Sequence, residues 1–331
     1  MLKKYKGTLV LMIVLCLLSI VSLFVGVIDI NISSLLKGNM EWDIFLFARI
    51  PRLLAILCTG IGMSVAGLLM QQLCRNKFVS PTTSATLQSA QFGILLSMLF
   101  LPSLGLWGRI LFSFTMAILG TWIFVGFIHK IPFKNTAFVP LVGIMFGNVV
   151  GGITNFLAYQ FEVTQQLSSY FVGSFALIMK GNYELVWLVI PLVIIAFVFA
   201  NYFNIVGMGK DFAQNLGVHF KFVLFIGLTI ASMISASVVT IVGQISYIGL
   251  MIPNIVSIWK GDHIKGTLVD TALLGAIFLL VCDMFARWII LPYELPIEFI
   301  VGIIGSVLFI VMLIYKLKHG NKAISWKKAG G

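Results

Sequence analysis

Charge is what this sequence has least of: 10% of its residues are Asp, Glu, Lys or Arg, while 60% are hydrophobic. A soluble domain carries about 25% charged and 45–50% apolar residues, so no water-facing packing hides this much apolar surface. Acid is the scarcer sign, with 11 Asp and Glu against 22 Lys and Arg, and no close carboxylate pair suggests acid–base chemistry. Cys16, Cys58, Cys74 and Cys282 lie in or beside apolar runs with no CxxC pair, and the four histidines form no HExxH or paired ligand set. A disulfide or a metal site is therefore not expected. Nucleotide motifs are also missing. NIVGMGKD at 204–211 comes nearest to a P-loop, but Asn204 stands where glycine is needed, Asp211 stands where Ser or Thr is needed, and no strand precedes it. With no GxGxxG and no GxSxG, the chain is expected to bind no cofactor and to be no ATPase, hydrolase or dehydrogenase.

Long apolar runs fill the space left by those absences. Ten stretches of roughly membrane-crossing length fall near 8–28, 51–73, 85–101, 107–128, 137–159, 184–203, 221–242, 245–259, 268–288 and 296–316. Apolar residues continue around the full circumference instead of alternating, which predicts helices and not a barrel. The fold class is an all-α polytopic membrane protein with about ten transmembrane helices, in one transmembrane domain over 1–331. LKKYK and the run after it read as an uncleaved first helix, since the run is long and no small-residue cleavage site follows.

The net charge of +11 is a topology signal and not a nucleic-acid footprint. With the N-terminus inside, the inner segments hold Lys3, Lys4, Lys6, Arg75, Lys77, Lys130, Lys134, Lys210, Lys221, Lys260, Lys265, Lys316, Lys318, Lys322, Lys327 and Lys328. The outer side keeps Lys37, Arg49, Arg52, Arg109, Lys180 and Arg287. This bias predicts an even number of spans and both termini in the cytoplasm. The loops are too short for a soluble catalytic domain, so function has to come from helix packing, a path through the bundle and partners at its faces.

Several polar features interrupt the runs. RNKFVSPTT at 75–83 is expected to turn the chain at the inner end of the second span. Pro81 would break the helix, and Thr82, Thr83 and Ser84 would cap the next one; the strip reads as a re-entry turn or as a hinge. Arg49 and Arg52, in RIPR, are close together on a helix, with Pro51 fixing part of the geometry. Asp283 and Arg287 have the spacing of an i,i+4 pair. Gly209 and Gly217 bracket a stretch able to form a short helix, with Ala213 as a small contact surface. WKGDHIKG at 259–266 places Asp262 and His263 beside two lysines. Asn148 and Asn155 are seven apart, so they project from nearly one helix face. With Thr154 and Tyr159 they either hydrogen-bond between helices or line a polar path.

Three stretches together carry a resemblance: ARIPRLLAILCTGIGMSVAGLLMQQLCRNKFVSPTT at 48–83, GMGKDFAQNLGV at 207–218, and GQISYIGLMIPNIVSIWKGDHIKG at 243–266 continuing through CDMFARWIILPYELP and IEFIVGIIGSVLFIVML. The chain resembles the permease subunits of the ferric-siderophore and cobalamin ABC importers, the FecCD-like family, and FVSPTT is most similar to the catecholate, petrobactin-type branch. The resemblance implies a type II ABC importer permease fold whose inverted repeats cover roughly 51–159 and 221–316. It also implies a second permease subunit, as homodimer or heterodimer, two cytoplasmic ATPase subunits that use ATP and Mg, and an extracytoplasmic siderophore-binding protein. The setting would be a bacterial cell membrane with its lipids, and no nucleic acid.

By the same resemblance Arg49, Arg52 and Arg287 receive acidic residues of the binding protein, a task suited to the bidentate guanidinium. Snorkelling of these arginines to lipid phosphates is the physical rival, as is pairing with a neighbouring acid. Gly209, Lys210, Asp211, Ala213, Gln214 and Gly217 belong to the element that couples to the ATPase, and Asn148, Thr154, Asn155 and Tyr159 to the translocation path. Whether Arg287 docks a partner or pairs with Asp283 stays open, as does a cobalamin or haem cargo for the same fold. An ion-driven secondary transporter is disfavoured because buried charge is scarce, Asp283 being the main candidate.

Overall fold

The computed structural model describes the backbone of residues 2–26, 40–82, 85–130 and 138–329; the side chains of residues 2–5, 40, 41, 128, 129, 138, 139 and 315–329 are not described. Lys3, Lys4, Lys37, Thr83, Ser84, Lys134, Lys316, Lys318, Lys322, Lys327 and Lys328 thus lie outside the described side chains. Among the described residues the structure is helical, apart from one isolated parallel bridge between Val172 and Gln244.

Helix α1 (Leu2–Phe24) is followed by a short helix at Met40–Ile44, a π-helical turn at Phe45–Arg49 and α2 (Ile50–Leu73), which run on without a break. Next come α3 (Thr86–Phe100), α4 (Gly105–Lys130), α5 (Phe138–Gln160) and the short α6 (Thr164–Phe171). Helices α7 (Val189–Val198) and α8 (Ala200–Gly207) form one apolar stretch bent by 62°. The six-residue α9 (Lys210–Asn215) leads into α10 (Phe220–Val242), α11 (Ile248–Lys260), α12 (Ile264–Trp288) and α13 (Ile297–Ala329). Among the described residues, seven helices are long and apolar enough to cross a membrane, or eight if the bent pair counts as one span. The third and eighth expected spans are the shorter apolar helices α3 and α11.

Helix α2 is the axis of the bundle, packed on α10, α11 and α12, while α10 in turn packs on α2, α3 and α4. Lipid tails are as apolar as leucine, so helices associate in a membrane by close packing, and small residues permit it. A methyl group on Gly67 would stand 1.9 Å from the Gly249 carbonyl oxygen of α11, and one on Gly60 would stand 2.6 Å from the Gly275 carbonyl of α12. Backbone thus meets backbone at two levels of α2. Both short helices are entered through a left-handed, non-glycine residue, Ala85 (φ 61°) before α3 and Tyr247 (φ 66°) before α11.

The turn after α2 differs from the sequence expectation. The helix stops well before Pro81, at a Schellman motif: the Asn76 amide donates to the Gln71 carbonyl at 2.9 Å and the Arg75 amide to Gln72 at 3.1 Å, with Arg75 left-handed at φ 51°. The Asn76 side chain then accepts the Phe78 amide at 2.9 Å. The Thr82 hydroxyl pairs with Ser80 at 2.7 Å, and Ala85 caps α3 without any side-chain bond. Backbone groups and Asn76 therefore end α2, the work expected of Pro81, while Thr83 and Ser84, expected to cap α3, lie outside the described residues.

A Gly67→Ala substitution should lower the thermal stability of the detergent-purified permease by an overpacking cost of about 1–3 kcal/mol or more. Gly126→Ala, where a methyl group meets nothing within 4 Å, should leave it unchanged. Equal unfolding temperatures for the two variants would contradict the backbone contact.

Candidate functional site

Proline chemistry sets up the first end of the bundle. Pro51 has no amide to give the carbonyl four residues earlier, and that carbonyl, Phe47 O, instead accepts the Lys180 amide at 2.9 Å. The π-turn just before it is closed by the Ile50 amide on Phe45 O. Together these place Arg49 and Arg52 beside the segment at 176–180. A cleft of about 170 Å³ is lined there by Arg49, Arg52, Ala176, Ile178, Met179 and Glu294, among others.

Asp283 of α12 is the hub of the charges below that cleft. Its Oδ1 accepts from Arg52 Nη2 at 2.8 Å and Nε at 3.3 Å, and its Oδ2 accepts from Arg287 Nε at 2.7 Å and also from Nη2. Arg52 Nη1 donates to Glu294 Oε2 at 2.7 Å. Glu294 is positioned by the Leu295 amide, which donates to the Ala286 carbonyl at 3.1 Å. Asp283 side-chain exposure is 1%, Arg287 2%, Arg52 11% and Glu294 20%.

The i,i+4 pair anticipated from the sequence is formed, and Arg287 does more than pair. Its Nη1 donates to Ser22 O at 3.1 Å and Val25 O at 2.7 Å, and its Nη2 donates to Ser22 Oγ at 2.8 Å. A guanidinium has five N–H donors, and all five are taken. The acceptor carbonyls are the orphan groups at the end of α1, where a cation also complements the helix dipole. Arg49 Nη1 donates to Val25 O as well. Arg287 is thus a buried cap of α1 in this structure and is not presented at the surface, unlike the half-exposed Arg49.

The opposite end gathers the remaining motifs. Arg75 lies against Gly209, whose φ of 123° and the φ of 73° at Gly217 bracket α9, as their spacing suggested. Lys210, Asp211, Gln214 and Gly217 are exposed, but Ala213 is fully buried. It cannot be the contact surface the sequence suggested, because its place on the helix turns it into the bundle. The exposed apolar residues there are Met208, Phe212 and Leu216, which the glycine and alanine pattern does not mark. A groove of about 780 Å³ runs between α9 and the start of α10, lined by Lys210, Gln214, His219 and Lys221, among others. Lys77 pairs with Asp262 at 2.5 Å, and Lys260 joins Asp270 at 2.5 Å, which in turn accepts from Thr8 of α1 at 2.7 Å. Helix α1 is therefore pinned to α12 near both of its ends.

Helix α5 packs mainly on α3 and leaves a broad face uncovered. Asn148, Asn155 and Tyr159 lie on that face. Thr154 does not: it is buried, and its hydroxyl donates back to the Val150 carbonyl at 2.8 Å. The residues of the charge cluster missed from the sequence are Glu294, Ser22 and Val25, for which no local spacing signal exists.

The chain matches the model of the FecCD transport family over residues 11–315. It is 47% identical over 305 residues to the petrobactin import system permease protein YclN of Bacillus subtilis, covering 92% of this chain and 96% of that one. It is 36% identical to the ferric-anguibactin transport system permease protein FatD of Vibrio anguillarum, covering 88% and 94%. Among solved structures, a chain described as an inward-facing metal-chelate type ABC transporter superposes with a TM-score of 0.80 at 22% identity, covering 94% of this chain and 99% of that one.

Asp283→Ala should destabilise the purified protein by about 3–5 kcal/mol, the usual cost of stranding a buried charge. Glu294→Ala, with a partner nearer the surface, should cost about 1 kcal/mol or less. Thermal unfolding of the two variants checks the ranking, and a reversed order would remove Asp283 as the hub.

Proposed function

This chain belongs to the FecCD transport family, and from that membership we propose that it is the permease of an ATP-driven importer of ferric siderophores of the petrobactin, catecholate-bearing class. It is a multi-pass transport subunit and not an enzyme. The observation that carries the cargo reading is the likeness to a petrobactin permease along nearly the whole of both chains.

In this reading ten helices cross the membrane, α3, α11 and the bent α7–α8 pair included, with both termini in the cytoplasm. The inverted repeats at roughly 51–159 and 221–316 find support in the reciprocal packing of α2 and α10 and in the left-handed entries to α3 and α11. The end carrying Arg49 and Arg52 faces outward and receives carboxylates of a siderophore-binding protein in the cleft beside Glu294, with Arg287 supporting it from within. The end carrying α9 faces the cytoplasm, where Lys210, Asp211, Phe212, Gln214 and Leu216 meet an ATPase subunit that uses ATP and Mg. A second permease covers the open face of α5, so that Asn148, Asn155 and Tyr159 line the path between the two. Helix α2 joins the two ends: Arg52 stands in its first turn and Arg75, against Gly209, just beyond its last. At 1.5 Å per residue its 24 residues reach about 36 Å. A rod this closely packed transmits displacement instead of absorbing it.

Radiolabelled iron uptake into proteoliposomes tests the reading, with the permease reconstituted beside its partner permease, ATPase and binding protein and a ferric catecholate supplied outside. Uptake should require ATP and fall at least tenfold in the Arg49→Glu, Arg52→Glu double variant. Uptake driven by a proton gradient without the ATPase would overturn the importer, and full uptake by the double variant would overturn the docking site. A Phe212→Asp, Leu216→Asp variant should keep its fold but lose the ATPase on co-purification; retention would move the coupling contact elsewhere.

A further inference from the structure

We infer that Glu294 is a resident stand-in for the carboxylate that docks on Arg52, and that docking exchanges one for the other. This deepens the docking reading above and rests on it. Arg52 offers its Nε and Nη2 hydrogens to Asp283 Oδ1 and one Nη1 hydrogen to Glu294 Oε2. A carboxylate binds a guanidinium most strongly through two parallel bonds. The edge left for that grip is Nη1–Nη2, and Glu294 Oε2 is already bonded to its Nη1 nitrogen. A visiting acid that lies flat on this edge has to take Glu294's place.

The two acids on Arg52 differ in how easily they yield. Asp283 is 1% exposed and holds Arg287 with its second oxygen, so releasing it strands a second buried cation. Glu294 is 20% exposed and sits in the loop between α12 and α13. Among the described residues its carboxylate bonds to Arg52 alone, and it lines the same cleft as Arg49 and Arg52. Once displaced it turns to water, and the number of carboxylates on Arg52 is unchanged. Addition without exchange would bring three carboxylates onto one guanidinium, which their mutual repulsion opposes. Glu294 thus sets the affinity of the outer face: it holds Arg52 in its docking geometry without a partner and limits how tightly a partner is held.

The test measures the affinity of the reconstituted permease–ATPase complex for the soluble binding protein that supports uptake in the proteoliposome assay. Glu294→Gln should tighten it about twofold to fivefold, the range of a partly exposed ion pair removed as competitor. Tightening should persist at about 0.5 M salt, where long-range charge effects are screened. Asp43→Asn, which removes an exposed acid near the same end, should give no tightening at that salt. If Glu294→Gln fails to assemble, Glu294→Asp, with its shorter arm, should tighten binding to a smaller degree. Unchanged or weaker binding by these Glu294 variants, with Arg52→Glu abolishing it, would overturn the exchange and leave the docking site standing. Binding that survives Arg49→Glu and Arg52→Glu would overturn both.

Discussion

In hydrocarbon an unpaired amide or carbonyl has no water to turn to, and each costs several kcal/mol. Much of the chain's architecture answers that constraint. Where Pro51 cannot supply an amide, Lys180 does, and the chain at 176–180 is drawn over the mouth of the bundle. Where α1 ends, Arg287 and Arg49 reach its last carbonyls. Where α2 ends, Arg75 takes a left-handed conformation so that two amides can fold back on Gln71 and Gln72. Where non-helical backbone runs between the helices, the Gln244 amide donates to Phe171 at 3.1 Å and the Ser174 amide to Val242 at 2.9 Å.

The charge cluster grows out of the same requirement. Arg287 is buried because α1 needs a cap, and a buried cation needs an anion, which is Asp283. Asp283 has a second oxygen to fill, and Arg52 of α2 fills it. Three helices are thereby locked at one end by a carboxylate that faces no solvent. Arg52 also lines a cleft, where Glu294 is bonded to its Nη1. A functional contact built there inherits a fixed geometry from groups whose first task is structural.

The sequence carried the local parts of this arrangement. Full-circumference apolar runs marked the helices, the four-residue spacing of Asp283 and Arg287 marked their pair, and the two glycines at 209 and 217 marked the ends of α9. Its errors were also local. Thr154 shares a run with Asn148 and Asn155, but one residue of offset rotates it about 100° to the packed side. Ala213 looked available because it is small, and it is small because the bundle lies against it. Pro81 is a strong helix breaker, yet a Schellman turn needs only a residue willing to adopt positive φ, and Arg75 carries no mark of that willingness.

By itself the sequence determined the solvent of this protein, the helical class, the approximate bounds of the helices and the family, because each follows from composition, periodicity or short motifs along the chain. Only the tertiary structure decided which arginine is a cap and which faces a cleft. Arg52 and Asp283 are 231 residues apart, and Arg287 and Ser22 are 265 apart. Their meeting depends on glycine contacts that bring α2 and α12 backbone to backbone, a relation that no spacing along one helix encodes. Charge says that these residues seek partners; packing alone says which partners are within 3 Å.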